Sequence, residues 1–117
     1  ELREILKKSL EKGEQEKTLQ VAEIIIEHWE SRTLKHAESE EEGLYKEIVQ
    51  QDPGAIQLVN HLTRDHDLMR RIIREMNERL IKNEISERIL SLLDALIIID
   101  SIHNEDEMNK LLIKFKQ

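Results

Sequence analysis

Apolar residues recur along this chain at helical spacing in four stretches. Leu2, Ile5, Leu6 and Leu10 form the first, which stops at Gly13 in "EKGEQEK" and predicts a short helix over roughly residues 1 to 12. Ala22, Ile25, Trp29, Thr33, His36, Glu40, Gly43 and Glu47 follow at threes and fours up to "QQDPG" and predict one long helix. Asp52 before Pro53 predicts a third start, the acid accepting from unpaired amides and the proline filling a first-turn position that needs no donor. That helix runs from about 53 to 81. Ala55, Leu58, Val59, Leu62, His66, Met69, Ile73, Met76 and Leu80 lie on its inner face, and Arg64, Arg70, Arg71 and Arg74 lie toward water. Asn83 is the expected cap of a fourth helix with the stripe Ile85, Ile89, Leu92, Leu96, Ile99, His103, Glu107 and Leu111. Short connections between sequential helices predict an all-α, antiparallel up-down-up-down four-helix bundle with a short or truncated first helix, a single domain over residues 1–117.

Composition narrows the function classes. Hydrophobic residues make up 38% and charged residues 37% of the chain, with three glycines and one proline, which fits long amphipathic helices and little else. The formal charge of −7 and the interspersed basic residues argue against nucleic acid as a partner. No apolar run approaches the ~18 residues of a membrane span and no signal segment opens the chain, so the expectation is a protein of the cytoplasm that does not enter membranes. The absence of cysteine removes disulfides, thiolate zinc sites, iron–sulfur clusters and cysteine nucleophiles.

The candidate chemistry lies where the inner stripes turn polar. His36 and His66 are each fifteen residues from Gln51 at a turn, and His66 and His103 average to position 84.5, close to the Asn83–Glu84 turn, so three histidines from three helices are expected at about one height on buried faces. Two of them are followed by a carboxylate, as His36-x-x-x-Glu40 and His103-x-x-x-Glu107, a spacing that places both side chains on one helix face about 6 Å apart. Imidazole and carboxylate together suit iron, manganese or zinc. Unpaired, such groups would each lose several kcal/mol on burial, a large share of a domain stability near 5–15 kcal/mol. His28 and His61 fall about 80° and 140° from the ligand histidine of their own helices and are assigned to the flank or surface. Trp29, Met69 and Met76 read as packing, and Glu38, Glu41 and Glu42 as a solvated face. No serine has a histidine partner that spacing establishes, so no catalytic residue is assigned beyond the metal ligands.

With these segments in view, the sequence resembles the hemerythrin-like, or HHE cation-binding, family. "HAESEEEGLY" is similar to that family's H-x-x-x-E-E-x-x-L-F/Y signature on helix two, and "RDHDLM" and "HNEDEMNKLL" match its segments on helices three and four. The resemblance implies a four-helix bundle around a non-haem di-iron centre bridged by carboxylates, able to bind or react with O2. Position by position, it implies His36, Glu40, His66, His103 and Glu107 as metal ligands. Leu62 and Met108 stand where oxygen-carrying relatives have further ligands, so reversible O2 transport is not implied. The family also takes a histidine from helix one. Residues 1 to 12 contain none, and reflection of His36 through a turn near residue 15 places a partner at about position −6, upstream of Glu1.

The expected function is therefore a domain with two non-haem irons, manganese or zinc remaining open, that senses or handles iron, O2, NO or peroxide. The alternatives are a metal-free helical-bundle interaction module and, ranked lower, a ferritin-like di-iron oxidase, for which Asp100-x-x-His103 is the nearest match to a Glu-x-x-His motif. A short first helix would leave apolar surface on helices two and four, to be covered in a homodimer or by fusion to a larger protein.

Overall fold

The computed structural model describes residues 1–113, and these form helices and turns with no strand among them. Helix α1, Leu2–Glu11, ends as its sequence demands. Gly13 takes a left-handed φ of 70°, and the amides of Gly13 and Glu14 donate back to the carbonyls of Leu10 (3.1 Å) and Ser9 (3.0 Å). The reversal is tightened by two buried hydroxyls. Ser9 donates to the Leu6 carbonyl (2.9 Å) and accepts from Thr18 (2.8 Å).

The single long second helix of the expectation is a rod of four pieces. Helix α2, Gln15–His28, passes into a π-helical turn, Trp29–Leu34, then α3, Lys35–Glu42, and α4, Leu44–Gln51, with Gly43 at the joint (φ −115°, ψ −86°). A π turn holds about one residue more than an α turn, so the inner stripe slips by one position beyond it. Ala37, not His36, is fully buried, and the His36 side chain is 72% exposed, which corrects its expected place on the inner face. Past Gly43 the inner positions are Tyr45 and Ile48, while Glu47 is exposed.

Asp52 accepts from the Gly54 amide (3.1 Å), and the turn Pro53–Ala55 leads into α5, Ile56–Ile81. Asn83 does not cap the next helix. It adopts a left-handed φ of 57° and closes α5, with the Glu84 amide donating to the Arg79 carbonyl (2.8 Å). Ser86 caps α6, Glu87–Asp106, by accepting from the Arg88 amide (3.3 Å), and a second π-helical turn, Glu107–Leu112, extends it.

The four rods form the expected bundle. Helix α5 packs along α6 and against α2, α3 and α4, and α1 packs on α2 and α6. The core is in two parts. A larger one is built from Leu6, Ala22, Ile25, Met69, Ile73, Met76, Ile89 and Leu96 with their neighbours, and a smaller one from Tyr45, Ile48, Ala55, Val59, Leu62 and Leu111. Arg3 ties α1 to α6, its Nε and Nη2 donating to the two Asp94 oxygens (2.6 and 3.0 Å). The Leu2 end of α1 lies beside Trp29 and Ile97, and His103 lies ~9 Å further along α6, so α1 ends short of the histidine layer. Ile24 on α2 and Ile98 and Ile102 on α6 are exposed. No helix among the described residues is long and apolar enough to cross a membrane.

Ile73 is 2% exposed in the larger core and Ile81 is 84% exposed on the same helix. Ile73→Ala is expected to cost about 2–5 kcal/mol in urea unfolding and Ile81→Ala less than about 0.5 kcal/mol. Equal losses would refute this assignment of the core face.

Candidate metal centre

Between the two core clusters lies a polar layer. Glu40 from α3, His66 from α5, and His103 and Glu107 from α6 and its π turn are all buried, and each offers a ligand atom within 4.8 Å of the others. The imidazole Nε2 atoms of His66 and His103 are 3.0 Å apart. Glu40 Oε1 lies 3.5 Å from the first and Glu107 Oε2 3.4 Å from the second. Tyr45 closes one side. Its ring lies parallel to that of His66 at 5.8 Å between centroids, and its hydroxyl donates to Glu107 Oε2 at 2.5 Å, with Glu40 Oε1 3.4 Å away.

The far side of each imidazole decides what the near side can do. His66 Nδ1 lies 2.7 Å from Glu41 Oε2, and His103 Nδ1 lies 3.1 Å from Asp65 Oδ2. A carboxylate can only accept, so the hydrogen bonds assign the N–H to Nδ1 in both rings. Both Nε2 lone pairs then point into the same space, an arrangement that repels itself unless a proton or a metal cation lies between. The donor set of two imidazole nitrogens and two carboxylates is one that iron, manganese or zinc accepts. The residues therefore fit a metal.

Protons are held unevenly in this layer. Burial, and then the hydrogen bond and charge of Glu107, push the Glu40 carboxyl up to about 8, so Glu40 keeps its proton near neutrality. Glu107 is held below the usual carboxylate range: burial pushes it up, but the bonds to His103, Glu40 and Tyr45 outweigh that. Burial lowers His66. The same burial opposes charge on His103, yet Glu107 and Asp65 outweigh it and hold that imidazole above its ordinary value. The phenol of Tyr45 is pushed far up by burial and by the bond to Glu107.

Four of the five residues expected from the sequence thus converge, and His36 stands apart. It is exposed at the rim with Nε2 3.5 Å from Glu40 Oε2, and the residue level with His66 is Glu41. The π turn rotates His36 off the inner face, and the position of the reversal sets its height. Glu41 pairs with His66 and Glu30 with Asn77, so the chain reverses at Pro53–Gly54, after the Asp52 cap, and not at Gln51. His66 and His103, whose positions average to 84.5, close to the Asn83–Glu84 turn, do meet. His28 and His61 are exposed, as expected. Glu41 and Arg70 were expected in water, but Glu41 holds His66 and receives Arg70 Nη2 on both oxygens (3.1 and 3.0 Å). Sequence reasoning also missed Tyr45 and Asp65. Gly43 followed by Tyr45 and Ile48 was the available signal that the inner face resets there, whereas nothing in the spacing marks Asp65.

The chain belongs to the hemerythrin HHE cation-binding domain family, whose model matches residues 1–114. No curated protein and no solved structure matches it.

Because Glu40 is more easily protonated folded than unfolded, it contributes stability that is full below about 4.5 and is lost as pH rises toward about 8. Glu40→Gln removes this contribution. In chemical denaturation of the metal-free chain, E40Q is expected to gain on the wild type progressively across that window; a stability difference independent of pH would show that Glu40 does not hold the proton.

Proposed function

We propose that this chain is a non-haem iron-binding domain that senses or handles iron, O2, NO or peroxide. The observation that carries this is the pair of imidazole Nε2 atoms at 3.0 Å, both aimed inward by carboxylates behind them, with Glu40 and Glu107 completing the donor set. His66 and His103 would hold the metal through Nε2, and Glu40 and Glu107 through their carboxylates. His36 is the fifth ligand in this proposal, reached by rotation of a side chain whose Nε2 already lies 3.5 Å from Glu40. Iron bound here supplies an open coordination position and a change of charge on oxidation. The protein's own part is to hold the donors and exclude water. Leu62 and Met69, one turn to either side of His66, are buried and keep that wall of the layer apolar. The Tyr45 hydroxyl keeps a proton at Glu107 Oε2.

A second reading, a metal-free helical interaction module, draws on one observation. Among the described residues, every buried side-chain nitrogen and oxygen has a hydrogen-bond partner without a metal.

Elemental analysis of untagged protein, purified without chelator from iron-replete cells, separates the two. Stoichiometric iron with its visible absorption bands is expected, abolished in H66A/H103A and weakened in E40A or E107A. Wild-type protein with no stoichiometric metal, its histidine layer replaceable by leucine without loss of fold, would establish the metal-free module instead.

A further inference from the structure

The residues behind the layer follow a pattern. On α3, Glu40 points into the layer while the next residue, Glu41, reaches the back of His66 on α5. On α5, His66 points in while the preceding residue, Asp65, reaches the back of His103 on α6. Adjacent positions on a helix are turned ~100° from each other, so one helix can present a metal donor inward and, beside it, an acceptor to the next helix's donor. The chain does this twice in succession, α3 to α5 and α5 to α6.

A neutral imidazole carries one N–H, and the nitrogen that carries it cannot bind a metal. Free in solution, the ring would exchange between tautomers and rotate about its side-chain bonds. A carboxylate fixed at Nδ1 removes both freedoms, because it accepts a hydrogen and never supplies one. Glu41 is itself fixed. Arg70 Nη2 donates to both of its oxygens while Nη1 donates to Asp67 (2.9 Å). Asp65 has no such cation among the described residues; its recorded partner is His103.

We propose that Glu41 and Asp65 are positioning residues of the metal centre: each binds the Nδ1–H of a histidine on the next helix, so that His66 and His103 present Nε2 lone pairs to a shared cation, and Arg70 locks Glu41 in place. This rests on the metal-binding function proposed above. Glu41 and Asp65 touch the metal's ligands and not the metal.

The test uses the full chain and Zn2+ alone, a probe without redox chemistry. Two measurements are made: imidazole 15N–1H correlation spectra of the metal-free and Zn2+-loaded protein, and Zn2+ affinity by competition with a chromophoric chelator. In the wild type, His66 is expected as the Nδ1–H tautomer before loading, and both histidines as Nδ1–H with metal-bound Nε2 after it. Glu41→Met and Asp65→Leu are each expected to weaken Zn2+ binding roughly 10–100-fold, and Glu41→Met to let His66 populate both tautomers. Glu41→Gln and Asp65→Asn keep an accepting oxygen and should recover most of the affinity. Arg70→Met gives a smaller loss in the same direction and serves if the Glu41 and Asp65 variants do not fold.

A wild-type His66 with its proton on Nε2, or affinities of E41M and D65L indistinguishable from wild type, would overturn the positioning roles while leaving metal binding intact. Wild-type protein that takes up neither Zn2+ nor iron would instead overturn the proposed function and this inference with it. The two failures are thus distinct.

Discussion

Burying two histidines and two glutamates in one layer of a small helical bundle is the constraint to which the rest of this structure answers. Each group would lose several kcal/mol on burial without a partner. The chain offsets much of that loss with contacts around the layer: Tyr45 on Glu107 and Glu40, Glu41 behind His66, and Asp65 behind His103. Three of the four rods, distant in sequence, supply these groups, so the layer forms only when the bundle does.

The irregularities of the helices serve the same end. The π turn at Trp29–Leu34 shifts the inner face of the second rod by one position, burying Ala37 and turning His36 to the rim. Gly43 then breaks the rod so that Tyr45, five residues after Glu40, returns to the layer where a continuous helix would carry it past. At the other end, Gly13 and Asn83 both take left-handed conformations that end α1 and α5. A side chain without the tolerance of Gly or Asn would be strained at either place.

Much of this was readable from the residues. Helical spacing located the four rods, and polar interruptions of apolar stripes located Glu40, His66, His103 and Glu107. What was not readable depended on one-residue differences. A helix-period argument assumes 3.6 residues per turn throughout, so it carries His36 inward across a π turn that it does not anticipate. Placing the reversal at Gln51, where the Asp52 cap moves it to Pro53–Gly54, paired His36 with His66 and left Glu41 in solvent. Asn83 was read as a helix start because asparagine serves both ends; its left-handed φ is a tertiary outcome. Asp65 was invisible for a different reason, since its role lies on a neighbouring helix.

The polar layer also divides the apolar interior. On one side stand Leu6, Met69, Met76 and Leu96; on the other stand Tyr45, Val59, Leu62 and Leu111. The two blocks are joined by the unbroken backbone of α5 and by the layer itself. The smaller block has little apolar surface of its own, and α4 meets it through short segments. It is the natural unit for local opening, with α5 as the spine that stays. The layer is thus the seam at which the two apolar blocks are coupled, and loosening its contacts bears first on the smaller of them.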